Sequence, residues 1–467
     1  MVSILRILIV CLMPLSAFPE VPYEYKKIIN KYKVPNDSFT FVVKNLTNNA
    51  ESIVTHNEKL FFNPASLAKI ISTFIALEEL GPQFKWHSDF FHNGKISGDT
   101  LNGDLIFKGT GDATFSINNL ENSIRKIQRD GIKKIKGNLI LDLSYFGLAS
   151  KEKSFDNDPM RAYNVLPNPV VIQSNTMNFI FNIKDSKLNI ESNPNMKYVV
   201  IKNKIKITND KCIDWKSKLN YRTENNNLKT NVIFSGKFSR KCGTKGINLS
   251  VLNDNEYFYK IFKNTWNANG GEFQGDLDVT FIQDAKWKVL YRHTSRPLSE
   301  IIRDTNKYSL NLLARNTMLT VLAEASDLLV LESSVNEYVQ SWLKKNGLPQ
   351  DGFLFENGAG LSRNSVLTSE QLLLLMEKIY HDPLMPEMLS SLPISGIDGT
   401  LKRRMNYSSF KNSAHFKTGS MKNVNAIAGF LLDSKKEMKI FIFIMNDLTA
   451  KDSHKLQEAL ITQAYKN

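Results

Sequence analysis

Cysteine and histidine are scarce in this chain: 467 residues hold three cysteines and seven histidines. The histidines are dispersed and read as structural, and no His-Glu pair of a zincin helix occurs. There is no Gly-x-Ser-x-Gly elbow and no Walker loop, and Gly109-Thr110-Gly111 lacks the third glycine of a nucleotide-binding turn. No cofactor and no metal site is therefore expected. Past the first residues, no apolar run approaches the roughly 20 residues that a membrane span needs. Acidic residues are the minority, 46 against 60 basic ones, for a formal charge of +14. Yet the cations are scattered. The longest clusters, Lys133-Lys134-Ile135-Lys136 and Lys402-Arg403-Arg404, are short and free of interleaved aromatics, so no nucleic-acid partner is expected. A solvated basic surface remains, suited to anionic lipid or a polyanionic polymer.

What is present belongs to a folded protein, with 42% hydrophobic and 23% charged residues. At about 150 residues per domain, the length suggests two or three domains. Residues 1–17 carry one cation (Arg6), an apolar run from Ile7 to Leu15 and a small-residue exit at Ser16-Ala17. That is the pattern of a cleaved secretory signal peptide. Cys11 falls inside it, and Val10 before it is not the small residue that lipoprotein processing prefers. Cys212 and Cys242 then remain. An even pair in an exported chain is most simply one disulfide; the alternative is two unrelated buried thiols.

From Leu67 to Leu80 apolar residues recur at Leu67, Ile70, Ile71, Phe74, Ile75 and Leu77, the spacing of a helix buried on most of its circumference, and Gly81-Pro82 ends it. Val424 to Leu432 and Met438 to Met445 read as a hairpin of central strands, and a last helix spans about 453–465. Helices flanking an antiparallel sheet, drawn from both ends of the chain, make an α+β unit. The middle is β-rich and repeats a phrase. Gly103-Asp104-Leu105-Ile106-Phe107, Gly137-Asn138-Leu139-Ile140-Leu141 and Gly275-Asp276-Leu277-Asp278-Val279 each feed a strand from a Gly/Asx turn. Those three strands are expected in one sheet. The expected plan is a main α+β domain at 18–88 and 288–467, a β-rich insertion at 89–167 and 248–287, and a Lys/Asn-rich unit nested within it at 168–247.

Ser66-Leu67-Ala68-Lys69 opens the buried helix. Residues three apart share a helix face, so hydroxyl and amine can meet. A desolvated lysine, or one beside another cation, has a lowered pKa and can take the serine proton. The spacing alone is weak, since it recurs at Ser123, Ser150, Ser341 and Ser408. Only Ser66 opens a long apolar helix, after an Asn63-Pro64-Ala65 entry turn. Lys417-Thr418-Gly419-Ser420 occurs once, just before a predicted central strand. Its cation and hydroxyls can bind a carboxylate, and its glycine lets a substrate backbone approach. Ser-x-Asn begins at Ser116, Ser309, Ser334 and Ser362. Ser309-Leu310-Asn311 is preferred because it leads directly into a helical run.

This ordered triplet, Ser-x-x-Lys, Ser-x-Asn and Lys-Thr-Gly, is the motif set of penicillin-binding proteins and β-lactamases. With it the chain resembles the D-alanyl-D-alanine carboxypeptidase/endopeptidase family of class C low-molecular-mass penicillin-binding proteins, peptidase S13 type. The likeness extends to Gly109-Thr110-Gly111-Asp112-Ala113-Thr114, Tyr163-Asn164-Val165-Leu166-Pro167-Asn168, the run from Glu356 to Arg363 and the run from Leu392 to Leu401. It includes the long gap between Ser66 and Ser309, which in the family holds two nested domains. Ala113 stands where proline is usual, and Leu310 where Asp or Asn is common.

The resemblance implies a β-lactamase/transpeptidase-like fold and a periplasmic serine DD-peptidase acting on peptidoglycan stem peptides and cross-links, with β-lactams as covalent inhibitors. Ser66 would be acylated and Lys69 would be its base. Ser309 would relay the proton to the leaving D-alanine, with Asn311 holding Lys69. Lys417 would polarise Ser309 and, with Thr418, Gly419 and Ser420, bind the terminal carboxylate, and the N–H groups of Ser66 and Ser420 would form the oxyanion hole. Asp142, in an Asp-x-Ser-x-Phe phrase, would hold the ammonium of a diaminopimelate side chain, against the simpler reading of a turn-forming aspartate. A serine β-lactamase of the same fold and a silent wall-binding protein are the alternatives. The positive charge suits a peripheral position near anionic lipid or wall polymer.

Overall fold

A computed structural model describes residues 21–47, 53–147, 155–225, 229–282, 287–326 and 330–467. The signal-peptide expectation at 1–17, Cys11 included, lies outside the described residues.

The main sheet takes strands from both ends of the chain. Its order is Ile53–His56, Phe39–Asn45, Met438–Asn446, Val424–Leu432, Ala414–Met421, with every neighbour antiparallel. Successive strand residues face opposite sides. Phe39, Phe41, Val43, Phe441, Phe443 and Met445 accordingly form one core with Tyr25 and Ile29 of the helix Tyr23–Tyr32 and Leu456, Leu460 and Ile461 of the helix His454–Lys466. Val42, Ile440, Ile442 and Ile444 face the other side, toward the helices Ala68–Leu80, Asn311–Glu324 and Ser369–His381. A sheet covered on both faces needs near-continuous apolar strands, which is why the 424–445 region reads as it does. The helix Ala68–Leu80 is buried from Ala68 through Leu77. A helix apolar all round belongs inside, and each large side chain that it buries stabilises the fold by about 1.5–3 kcal/mol.

The three Gly/Asx phrases lie side by side. Leu105–Gly109, Leu139–Asp142 and Leu277–Thr280 are parallel neighbours in register, with Leu139 opposite both Leu105 and Leu277. His87–His92 and Lys288–Thr294 complete that five-stranded sheet. This corrects two expected boundaries. Strand 288–294 pairs with 87–92, and Arg292 grips Asp89 with two hydrogen bonds of 2.7 Å. The chain therefore leaves the main unit at Trp86 and returns at Ser295, whose N–H donates to the Trp86 carbonyl. Boundaries at 88 and 288 cut across this strand pair.

Within the inserted region, Met177–Lys184, Lys187–Asn193 and Lys245–Leu249 form one small sheet and Val199–Thr208, Leu219–Asn225 and Thr230–Ser239 another. Phe179, Phe181 and Phe234 of these sheets join Phe107 and Phe258 in a single second core. Cys212 and Cys242 are disulfide-bonded, as the even pair predicts.

Candidate active site

Ser66 sits in a 3₁₀ turn, Ala65–Leu67, that runs straight into the helix Ala68–Leu80. The entry turn is held from several sides. Asn63 Oδ1 accepts from the Ala65 N–H at 2.9 Å, Asn63 Nδ2 donates to the Ser362 carbonyl, and the Asn63 N–H donates to Asn446 Oδ1 at the end of the central strand. Ala65 has a left-handed φ of +46°, a conformation that costs about 1–3 kcal/mol in a non-glycine residue. The result is a half-buried serine at the mouth of a buried helix.

Lys69, one turn on, is fully buried. Its Nζ stands 2.9 Å from Ser66 Oγ, 2.7 Å from Asn311 Oδ1 and 2.7 Å from the Ala359 carbonyl oxygen. Burial, followed by the charge of Lys417, drives its pKa well below the ordinary lysine value. A neutral amine has two N–H donors and one lone pair. Asn311 and Ala359 present acceptors alone, so they take the two hydrogens, and the lone pair is left for the Ser66 hydroxyl. That is the arrangement of a general base.

Ser309 lies between the helices Leu298–Lys307 and Asn311–Glu324 with a left-handed φ of +57°. Asn311 begins the second helix, and its Nδ2 donates to the Tyr163 carbonyl at 3.0 Å. Lys417, also fully buried, donates from Nζ to Ser309 Oγ at 2.9 Å and to the Thr418 carbonyl at 2.7 Å. Burial lowers its pKa to about 7. Its strand, Ala414–Met421, packs against the nucleophile turn: a Cβ at Gly419 would stand 2.8 Å from the Pro64 carbonyl oxygen and 3.1 Å from the Ser66 nitrogen. Only glycine fits. Thr418 is half-buried and Ser420 exposed.

The three motifs thus converge, and the other copies do not take part. Ser123 is buried and donates to the Asn119 carbonyl while Lys126 pairs with Asp130. Ser408 donates to the Met405 carbonyl, Ser341 and Lys344 are exposed, and Ser150 lies outside the described residues. Ser116 caps a helix, and Ser362 bonds to Glu356.

Asp142 lies apart from the three motifs. It is fully buried, its Oδ1 accepts from the Ser144 N–H at 2.8 Å, and Lys108 Nζ stands 3.8 Å from its Oδ2. The Ser144 contact is that of the turn-forming aspartate, while Oδ2, buried beside Lys108, accepts no hydrogen bond among the described residues. Two contacts also escaped sequence reasoning, the Ala359 carbonyl on Lys69 and the Tyr163 carbonyl on Asn311. Tyr163 in turn donates from its hydroxyl to Asp156 at 2.6 Å, and Arg363 covers the Phe155 ring at 4.6 Å, so segment 155–164 borders the cleft. The signal available was the run of family-like residues around each. Among the described residues, no group of three or more His, Cys, Asp or Glu side chains gathers into a metal-binding cluster.

A family model described as the D-Ala-D-Ala carboxypeptidase 3 (S13) family matches residues 24–466. The chain is 25% identical over 445 residues to the D-alanyl-D-alanine carboxypeptidase DacB of Haemophilus influenzae, covering 93% of this chain and 91% of the relative. It is 26% identical over 436 residues to the penicillin-sensitive carboxypeptidase A of Dictyostelium discoideum, covering 86% and 81%. The crystal structure of penicillin binding protein 4 from Haemophilus influenzae superposes with a TM-score of 0.81 at 23% identity, over 95% of this chain and 99% of that one. At that identity the likeness establishes the fold.

Proposed function

The chain belongs to the D-Ala-D-Ala carboxypeptidase 3 (S13) family, and from that premise and the site geometry we propose that it is a penicillin-sensitive serine DD-peptidase. It removes the terminal D-alanine from peptidoglycan stem peptides, or cleaves D-alanyl cross-links, through an acyl-enzyme on Ser66. The observation that carries this reading is the environment of Lys69: fully buried, with two acceptors for its hydrogens in Asn311 Oδ1 and the Ala359 carbonyl, and with Ser66 Oγ 2.9 Å from its Nζ.

Contacts described above support the roles given to Lys69, Ser309 and Lys417. Lys69 takes the Ser66 proton as Oγ attacks the carbonyl carbon of the penultimate D-alanine. The backbone N–H groups of Ser66 and Ser420, on the two segments that meet at Gly419, stabilise the oxyanion. Ser309, polarised by Lys417, relays the proton that Lys69 has taken to the leaving amine as the C–N bond breaks, which leaves Ser309 a hydroxyl and returns Lys69 to the neutral amine. Lys417, Thr418 and Ser420 hold the terminal carboxylate. Water then hydrolyses the ester on Ser66. A β-lactam enters by the same acylation, but its expelled amine stays tethered to the acyl group and cannot diffuse away. The adduct persists.

Residues 1–17 and the disulfide, which fits an oxidising compartment, support a location outside the cytoplasm. Export to the periplasm is the reading, with a peripheral position near anionic lipid or wall polymer suited to the charge of +14. Among the described residues, no helix is long and apolar enough to cross a membrane.

The test is labelling with a fluorescent penicillin, followed by assays of D-alanine release and penicillin hydrolysis. A labelled protein that releases D-alanine and turns over penicillin slowly supports the peptidase. Fast penicillin hydrolysis without D-alanine release would transfer the assignment to a β-lactamase. Neither labelling nor release would leave a wall-binding protein.

A further inference from the structure

Beside the Lys417-Thr418-Gly419-Ser420 strand lies a turn that the three motifs do not include. Thr418 Oγ1 donates to Thr400 Oγ1 at 2.8 Å. Thr400 belongs to the short 3₁₀ helix Gly399–Leu401, and that turn is pinned on both sides. On one side, Leu401 is fully buried in the core shared with Phe410 and Phe416. On the other, Asp398 Oδ2 accepts from Lys307 Nζ at 2.6 Å while its Oδ1 accepts from the Ile394 N–H at 2.8 Å. Lys307 is 4% exposed, also donates to the Leu392 carbonyl at 3.0 Å, and precedes Ser309 by two residues. Thus the segment that carries Ser309 and the strand that carries Lys417 are joined twice. One link is direct, Lys417 to Ser309; the other runs Lys307, Asp398, Thr400, Thr418.

A hydroxyl has one hydrogen to donate and two lone pairs. Without substrate, Thr418 gives its hydrogen to Thr400. A carboxylate offers acceptors alone, so once it arrives the Thr418 hydrogen must turn toward it. Thr400 can then rotate its own hydrogen onto Thr418 Oγ1. The two-hydroxyl chain reverses without moving a heavy atom, and a hydroxyl that accepts one hydrogen bond is a better donor of the next. We propose that Thr400 is a positioning residue of the carboxylate subsite: it holds the Thr418 rotamer and donates back to Thr418 when that hydroxyl is engaged by the substrate's C-terminal carboxylate. The inference rests on the DD-peptidase reading above, since that reading supplies the carboxylate.

The experiment compares the wild-type enzyme with Thr400→Val, which keeps the shape and removes the hydroxyl, and Thr400→Ser, which restores it. Each is assayed with a stem peptide ending in D-Ala-D-Ala carboxylate and with the same peptide as its C-terminal amide. In Thr400→Val, KM for the carboxylate peptide should rise about threefold to tenfold with kcat nearly unchanged, the mark of lost ground-state binding. The preference for carboxylate over amide should shrink by the same factor, and Thr400→Ser should recover both. Loose packing would instead lower the active fraction and leave KM and the preference alone, as would a Thr400 that plays no part; either result overturns the inference. Penicillin labelling of the wild-type protein, run in parallel, separates the two readings. Wild-type protein that neither labels nor releases D-alanine defeats the DD-peptidase assignment itself, whereas an active wild type with an unaltered Thr400→Val defeats this one alone.

Discussion

Ser309 Oγ accepts a hydrogen bond from Lys417 Nζ at 2.9 Å, with the serine held in left-handed backbone at φ +57°. The strain sits where two helices meet end to end, and the surrounding core maintains it. A hydroxyl fixed in this way has one face on the cation and another free for an incoming amine. It is therefore placed to relay a proton. In the proposed mechanism the ammonium beside it has a second task, the attraction of a carboxylate, and the two tasks respond differently to pH.

The pH profile of kcat/KM for a carboxylate peptide should be bell-shaped. Lys69 works only as the neutral amine, so acylation is lost as pH falls through its lowered pKa. Lys417 attracts the carboxylate only while protonated. Its pKa of about 7 means that the charge, and with it the affinity, fades as pH rises through that value. A bound carboxylate favours the ammonium, so the alkaline limb of kcat should lie above that of kcat/KM. Steady-state rates from pH 5 to 10 provide the check, and a KM that stays flat above pH 7 would contradict the role given to Lys417.

Ser66→Ala should abolish penicillin labelling and D-alanine release while leaving the melting temperature close to wild type, because one half-buried oxygen is lost. Mass spectrometry decides it. A covalent penicillin found on another serine of the variant would refute the nucleophile assignment.

Gly360→Ala should disable the site without touching any reacting group. Gly360 has φ +71°, and a Cβ there would lie 1.9 Å from the Ala65 carbonyl oxygen. Backbone cannot yield as a side chain can, so the nucleophile turn must shift, and with it the Ala359 carbonyl that holds Lys69. A displacement of this order commonly costs about a hundredfold in rate. Stopped-flow acylation by a chromogenic β-lactam measures it, and an unchanged acylation rate would show that the turn tolerates the shift.

Replacing both bridged cysteines, Cys212→Ser with Cys242→Ser, should destabilise the inserted region. The bridge closes a loop of 30 residues, which by the chain-entropy model contributes about 3.5 kcal/mol. Since the inserted sheets and their core lie apart from the Ser66 core, penicillin acylation at moderate temperature should survive. Calorimetry of the two proteins should show an earlier melting transition in the variant. Superimposable scans would mean that the bridge adds nothing.

Much of this arrangement is legible in the sequence, for identifiable reasons. The helix at 68–80 and the hairpin at 424–446 announce themselves because both are buried all round and carry long apolar runs. The parallel strands at 105, 139 and 277 are marked by the same Gly/Asx turn at each start. The contacts that complete the site are harder to read. Lys69 and Asn311 each find a backbone carbonyl, from Ala359 and Tyr163, and a carbonyl carries no side-chain signature. Strand 288–294 alternates too weakly to declare its partner, which the Arg292–Asp89 pair reveals only in three dimensions. Asp142 shows the converse: an aspartate two residues before a serine is compatible with a turn or a ligand subsite, and the structure shows the turn contact from Oδ1.

The strand Phe39–Asn45 lies between Ile53–His56 and Met438–Asn446 in the main sheet. That pairing imposes an order on the making of the enzyme. As the chain emerges from its N-terminus, Ser66 and Lys69 appear early, but the strand bearing Lys417 and the two that tie it to the sheet arrive last. The inserted sheets, contained within residues 87–294, are complete well before then and can settle first, since domains generally fold as units. Until about residue 446 is in place the nucleophile has neither its carboxylate subsite nor a closed core above its helix. The fold thereby delays reactivity until the chain is nearly finished.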